Sequence, residues 1–138
     1  MKMNQFVRLY LVSLPIFLTL DAFWLGLVAS NFYRSEIGPI LEFDWLAALV
    51  FYLVFLVGLT IFATLPGIVN KDWQSGFVLG ALFGFFTYAT YDLTNLATLQ
   101  NWSLKLVVVD VVWGTFICAA TAGLTSIVVT NYFRYENS

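Results

Sequence analysis

Three aspartates in this 138-residue chain stand where water is scarce: Asp21, Asp92 and Asp110 each interrupt a long run of apolar side chains. A charge at mid-bilayer costs at least about 2.5–3.5 kcal/mol on insertion scales, so such groups turn toward a protein interior or a wet cavity. Hydrogen-bonding side chains accompany them: Tyr88, Tyr91, Thr94 and Asn95 around Asp92, Trp24 three residues after Asp21, and Trp113 three residues after Asp110. No Lys, Arg or His stands at their depth to neutralise them. Three ionised carboxylates without a countercharge would repel one another and be heavily desolvated, so at neutral pH at least one holds a proton or a cation is bound. The chemistry expected is uptake of a proton, a small cation or a cationic ligand. The plainer expectation is that the carboxyls accept from indole and hydroxyl donors and knit helices together.

The elements that must position these residues follow from composition. The chain is 61% hydrophobic and 10% charged, against roughly 45–50% and about 25% for a soluble domain, so it lacks the polar residues to cover a water-facing surface. Lipid is the solvent it calls for. Aromatic residues, at 19% with five Trp, suit the membrane boundary because their rings are apolar with one polar atom. Four apolar stretches, at about residues 6–29, 45–65, 76–99 and 104–130, each meet the roughly 20 residues a helix needs to cross the hydrocarbon. The expectation is an all-α, polytopic integral membrane protein, a four-transmembrane-helix bundle forming a single domain over residues 1–138. The first stretch is too long for a signal peptide, contains Asp21 and Trp24, and lacks a clean cleavage site.

Residues 31–44 form the longest connection, Pro66-Gly67 reads as the end of the second helix, and the short turn at Gln100-Asn101-Trp102-Ser103 makes the third and fourth helices antiparallel neighbours. Counted inward from the helix ends near Ala29, Gln100 and Trp102, each Asp lies about eight residues deep, or roughly 12 Å. One layer could hold all three. Gly76, Gly80 and Gly84 recur every fourth residue, continued by Tyr88 and Asp92; Asp110, Gly114, Cys118 and Ala122 repeat the spacing on the fourth helix. Small residues in that register let helices approach closely. The two ridges could then face each other and bring Asp92 near Asp110, where the carboxyls would titrate as a coupled pair.

Lys2, Arg8, Lys71 and Arg134 fall on one side of the spans, Arg34 and Lys105 on the other. The positive-inside rule then puts both termini in the cytoplasm and the acidic loop of Glu36, Glu42 and Asp44 outside. A net charge of −2 with no basic cluster offers nothing to nucleic acid. A lone Cys118 and the absence of His leave no disulfide and none of the usual zinc or haem ligation, so cofactor, metal and catalytic residues stay unknown from sequence. Partners reduce to the lipid bilayer and, since four helices make a narrow protomer, a homo-oligomer if anything is conducted.

An enzyme acting on a lipid or isoprenoid, with Asp92 and Asp110 as acid and base, is a second expectation, weakened by the lack of an Asp-x-x-x-Asp run or a Lys/Arg cluster to hold phosphate. A structural partner subunit docking through the glycine ridge is a third.

Tyr91-Asp92-Leu93-Thr94-Asn95-Leu96-Ala97-Thr98-Leu99 is a specific stretch. With Leu20-Asp21-Ala22-Phe23-Trp24-Leu25-Gly26, Phe32-Tyr33-Arg34, Gly80-Ala81-Leu82-Phe83-Gly84 and Asp110-Val111-Val112-Trp113-Gly114, the chain resembles a family of small bacterial predicted membrane proteins catalogued only as a domain of unknown function. The resemblance covers nearly the whole chain and implies a four-helix bacterial inner-membrane protein with no assigned reaction. By context it also suggests an accessory role in membrane fatty-acid modification.

Overall fold

Asn4 opens the first helix by accepting from the Phe6 amide, which satisfies one of the donors a helix N-terminus leaves free. Helix α1 runs Gln5–Val28, α-helical to Phe23 and closing in a π turn over Trp24–Val28. The computed structural model describes residues 3–133. Within the long connection a second helix, α2, forms over Ser30–Ile37, followed by a 3-10 turn at Gly38–Ile40. Three further helices complete the chain: α3 at Trp45–Val69, α4 at Trp73–Thr98 and α5 at Leu104–Tyr132. Their first turns are capped by Asp44, Asp72 and Ser103, which accept from the amides of Ala47, Gln74 and Leu106.

Helices α1, α3, α4 and α5 are 24 to 29 residues long and apolar enough to cross a bilayer. Their exposed side chains, such as Val54, Phe62, Phe86 and Val112, are themselves apolar, as a surface facing lipid must be. The molecule is an all-α, multi-pass membrane protein.

Pro66 does not end α3. The α-helix gives way to a π turn at Thr60–Thr64 and resumes at Leu65–Val69. Pro66 falls in the first turn of that last segment, where its fixed φ and missing N–H are tolerated.

Helix α5 is the centre of the bundle: half of its most apolar stretch is buried, against 17%, 22% and 28% for α1, α3 and α4. A core of Phe17, Leu56, Leu59, Ala63, Ile117, Cys118 and Ala122 joins α1, α3 and α5. On the other flank α4 lies directly against α5 through glycines. A methyl group placed on Gly80 would fall 2.4 Å from the Cys118 carbonyl oxygen, and one on Gly84 only 2.2 Å from that of Gly114. Gly76 meets Ser126 and Ala122 in the same way. Backbone touches backbone along three turns, so no side chain fits between.

Candidate functional site

The C-terminal ends of α1 and α4 and the N-terminal ends of α3 and α5 share one end of the bundle, and α2 lies across it. Two contacts fix α2 there. The Ser103 hydroxyl donates to Glu36, and the Tyr33 hydroxyl reaches inward to donate to Asp110 Oδ1 at 2.6 Å. Lys105 sits over the Phe32 ring, 5.5 Å from its centroid, a cation–π contact on the same flank.

Behind this cap a polar chain crosses four elements. Asp21 on α1 accepts from the Tyr52 hydroxyl of α3 through one oxygen, and from the Trp113 indole of α5 through the other at 3.3 Å. Trp113 stacks on Trp24, with centroids 4.4 Å apart and planes within 6°. The Trp24 indole donates to the Tyr33 oxygen at 3.3 Å, and Tyr33 in turn donates to Asp110. Burial, then the neighbouring Asp110 carboxylate, push the Tyr33 hydroxyl above its ordinary range, so it stays protonated and remains a donor.

Asp92 is different. It is fully buried, and neither carboxyl oxygen has a hydrogen-bond partner. It faces Asp110 across the α4–α5 contact with the Trp102 indole beside it, yet that N–H bonds neither oxygen. Among the described residues no basic side chain lies against Asp21 or Asp92. Nor do three acidic or thiol groups converge closely enough to ligate one metal ion. The three carboxyls are therefore arranged as a facing pair, Asp92 with Asp110, and a third, Asp21, linked to Asp110 through Trp113, Trp24 and Tyr33.

Asp21 and Asp110 line a cavity of about 790 Å³, walled largely by aromatic and aliphatic side chains. Trp24, Trp113, Tyr88 and Tyr91 line it as well, and Asp92 stands outside the lining, behind Asp110. Arg34 is the one basic residue on its wall, and its side chain is exposed.

Thr94 and Asn95 do not line the cavity. The Thr94 hydroxyl donates back to the Thr90 carbonyl at 2.5 Å, as Ser and Thr hydroxyls in helices commonly do, and Asn95 is outside the lining. Thr94 lies two residues beyond Asp92, about 200° around the helix, so the two cannot share a face. Tyr33 and Tyr52, the donors that hold Asp110 and Asp21, are not among the candidate site residues the sequence offers, although Tyr33 belongs to the Phe32-Tyr33-Arg34 stretch. Each bonds to a residue 31 or more positions away, a pairing that local spacing does not reveal.

Residues 6–127 match a family described as "Predicted membrane protein (DUF2177)". No curated protein and no solved structure matches the chain.

Proposed function

Since the chain belongs to the DUF2177 family of predicted membrane proteins, a domain of unknown function, its activity has to be read from the site, and we propose that Asp21 and Asp110 bind a positively charged ligand inside the membrane. The observation that carries this reading is the gathering of carboxyls away from water: two line the cavity and a third, Asp92, sits unpartnered behind one of them. Carboxylates out of water and without a cation are strongly disfavoured. A ligand that brings positive charge relieves that penalty only in the folded protein. The aromatic walls favour an organic cation, which ring faces attract, and about 790 Å³ lies within the roughly 300–1,000 Å³ of small-molecule sites.

The test is a melting series in detergent with tetramethylammonium, sodium and magnesium chlorides at matched ionic strength. The parent should be stabilised by the organic cation, since a ligand at about 100 times its Kd adds roughly 2.7 kcal/mol. Asp110→Asn should fold, because the amide still accepts from Tyr33, and should lose that response. Equal responses in parent and variant would sink the proposal.

The cavity end is proposed to face outward from a bacterial inner membrane, with the termini in the cytoplasm, on the four-to-two distribution of Lys and Arg. Of those residues Lys2 and Arg134 lie outside the described ones. In a Cys118→Ala background, a membrane-impermeant thiol reagent added to intact cells should modify Ser35→Cys and spare Gln74→Cys. Both positions are exposed at opposite ends of the bundle, and labelling of Gln74→Cys alone would invert the assignment.

A further inference from the structure

Toward the cavity end, α3 and α4 part. Ring contacts join the two helices at Phe62 with Phe83, Phe55 with Phe83 and Phe55 with Tyr88. One turn beyond Phe55 the relation changes: Phe51 on α3 is 46% exposed and Tyr91 on α4 is 58% exposed, yet both line the cavity. Ala48, a turn further along α3, lines it too. Side chains that face the cavity and the bilayer at once mark an opening in the side of the bundle. The rest of that end of α3 is uncovered, with Trp45 and Leu46 78% and 71% exposed. Side-chain hydrogen bonds hold it only at Tyr52, which donates to Asp21, and at Leu53, whose carbonyl accepts from Tyr10 at 3.0 Å, among the described residues.

The chemistry of the wall changes along this path. Carboxyls and stacked indoles form its inner end, and Phe55, Phe51 and Ala48 lead outward to the gap. A bare ion would engage the inner end and leave the apolar length of the cavity to water. A neutral hydrocarbon would fill that length and leave the carboxyls uncompensated. A molecule with a positive head and a hydrocarbon chain satisfies both.

We infer that the ligand is a long-chain organic cation, an amine or quaternary ammonium amphiphile, that enters from the bilayer between α3 and α4. Its head sits between Asp21 and Asp110, and its chain runs out past Phe51, Ala48 and Tyr91. This rests on the carboxylate site proposed above and specifies what that site takes.

The experiment uses the full chain in nanodiscs of phosphatidylcholine, with the melting temperature as readout and three probes: tetramethylammonium, dodecyltrimethylammonium at submicellar concentration, and zwitterionic dodecylphosphocholine. The parent should be stabilised by both cations and not by the zwitterion. Ala48→Trp, which puts bulk in the gap, should raise the concentration of dodecyltrimethylammonium needed for a half-maximal shift by about tenfold, roughly the loss of two methylene contacts. Its response to tetramethylammonium should be unchanged. If Ala48→Trp does not fold, Ala48→Leu should show the same selectivity with a smaller loss. Unaltered or equally altered responses to the two cations would overturn the chain path, and equal stabilisation by the zwitterion would overturn the cationic head. A parent that responds to tetramethylammonium alone would overturn the amphiphile and leave the carboxylate site standing, whereas a response to neither cation would remove both.

Discussion

Replacing Gly84 by alanine is expected to push α4 away from α5 and to lower the melting temperature in detergent by several degrees, while alanine at Gly26 changes little. The contrast follows from what each new methyl would meet. At Gly26 nothing lies within 4 Å. At Gly84 the methyl would sit 2.2 Å from the Gly114 carbonyl oxygen and 2.8 Å from the Cys118 Cβ. Carbonyl oxygens on a helix cannot swing aside as a flexible side chain can, so the helices themselves must separate. Overpacking of this kind costs about 1–3 kcal/mol, and leucine should cost more than alanine. The effect should reach the site as well. Tyr88 and Asp92 continue the ridge of Gly84, and the Tyr88 ring already packs where a Gly114 side chain would stand. Opening the α4–α5 contact therefore moves Asp92 away from Asp110, and Gly84→Ala should weaken the response to tetramethylammonium along with the fold. Unchanged melting would mean that α4 and α5 do not touch through these glycines.

What the sequence makes legible here is whatever depends on length or on local spacing. An apolar run of more than 20 residues has no place but a bilayer, so the four spans can be read directly. Gly76, Gly80 and Gly84 announce a contact ridge because four residues bring a helix nearly back to the same face. Other features escape for stated reasons. In a soluble helix the apolar stripe tells which face is inward, but here the lipid-facing side is as apolar as the core, so Tyr52 in α3 carries no mark that it points at Asp21. Tyr33 sits in a connection whose Arg34, Glu36, Gly38 and Pro39 suggest loop, yet Ser30–Ile37 is helical. Only the tertiary arrangement shows that this helix caps the cavity and lends a hydroxyl to Asp110, 77 residues on. The π turns at Trp24–Val28 and Thr60–Thr64 leave no composition signal either.

Asp21 and Asp92 are expected to respond in opposite directions to leucine. Asp21→Leu removes the acceptor for both the Tyr52 hydroxyl and the Trp113 indole. A buried donor left without a partner costs about 1–3 kcal/mol, so the two together should lower the melting temperature strongly. Asp21→Asn keeps an acceptor and should recover much of the loss. Asp92→Leu strands no donor, because neither of its oxygens is bonded. Exchanging a buried, poorly compensated charged group for an apolar one of similar volume is often neutral or stabilising by about 1–4 kcal/mol. Asp92→Leu should therefore melt at or above the parent without added cation, and should respond less to tetramethylammonium because one buried carboxyl behind Asp110 is gone. A residue whose replacement steadies the protein while weakening its response to ligand is one kept for function at some expense of stability. If Asp92→Leu instead falls as far as Asp21→Leu, Asp92 is holding a partner such as the Trp102 indole, the carboxyls are hydrogen-bonding glue between helices, and the unpartnered buried carboxyl that argues for a cationic ligand is lost.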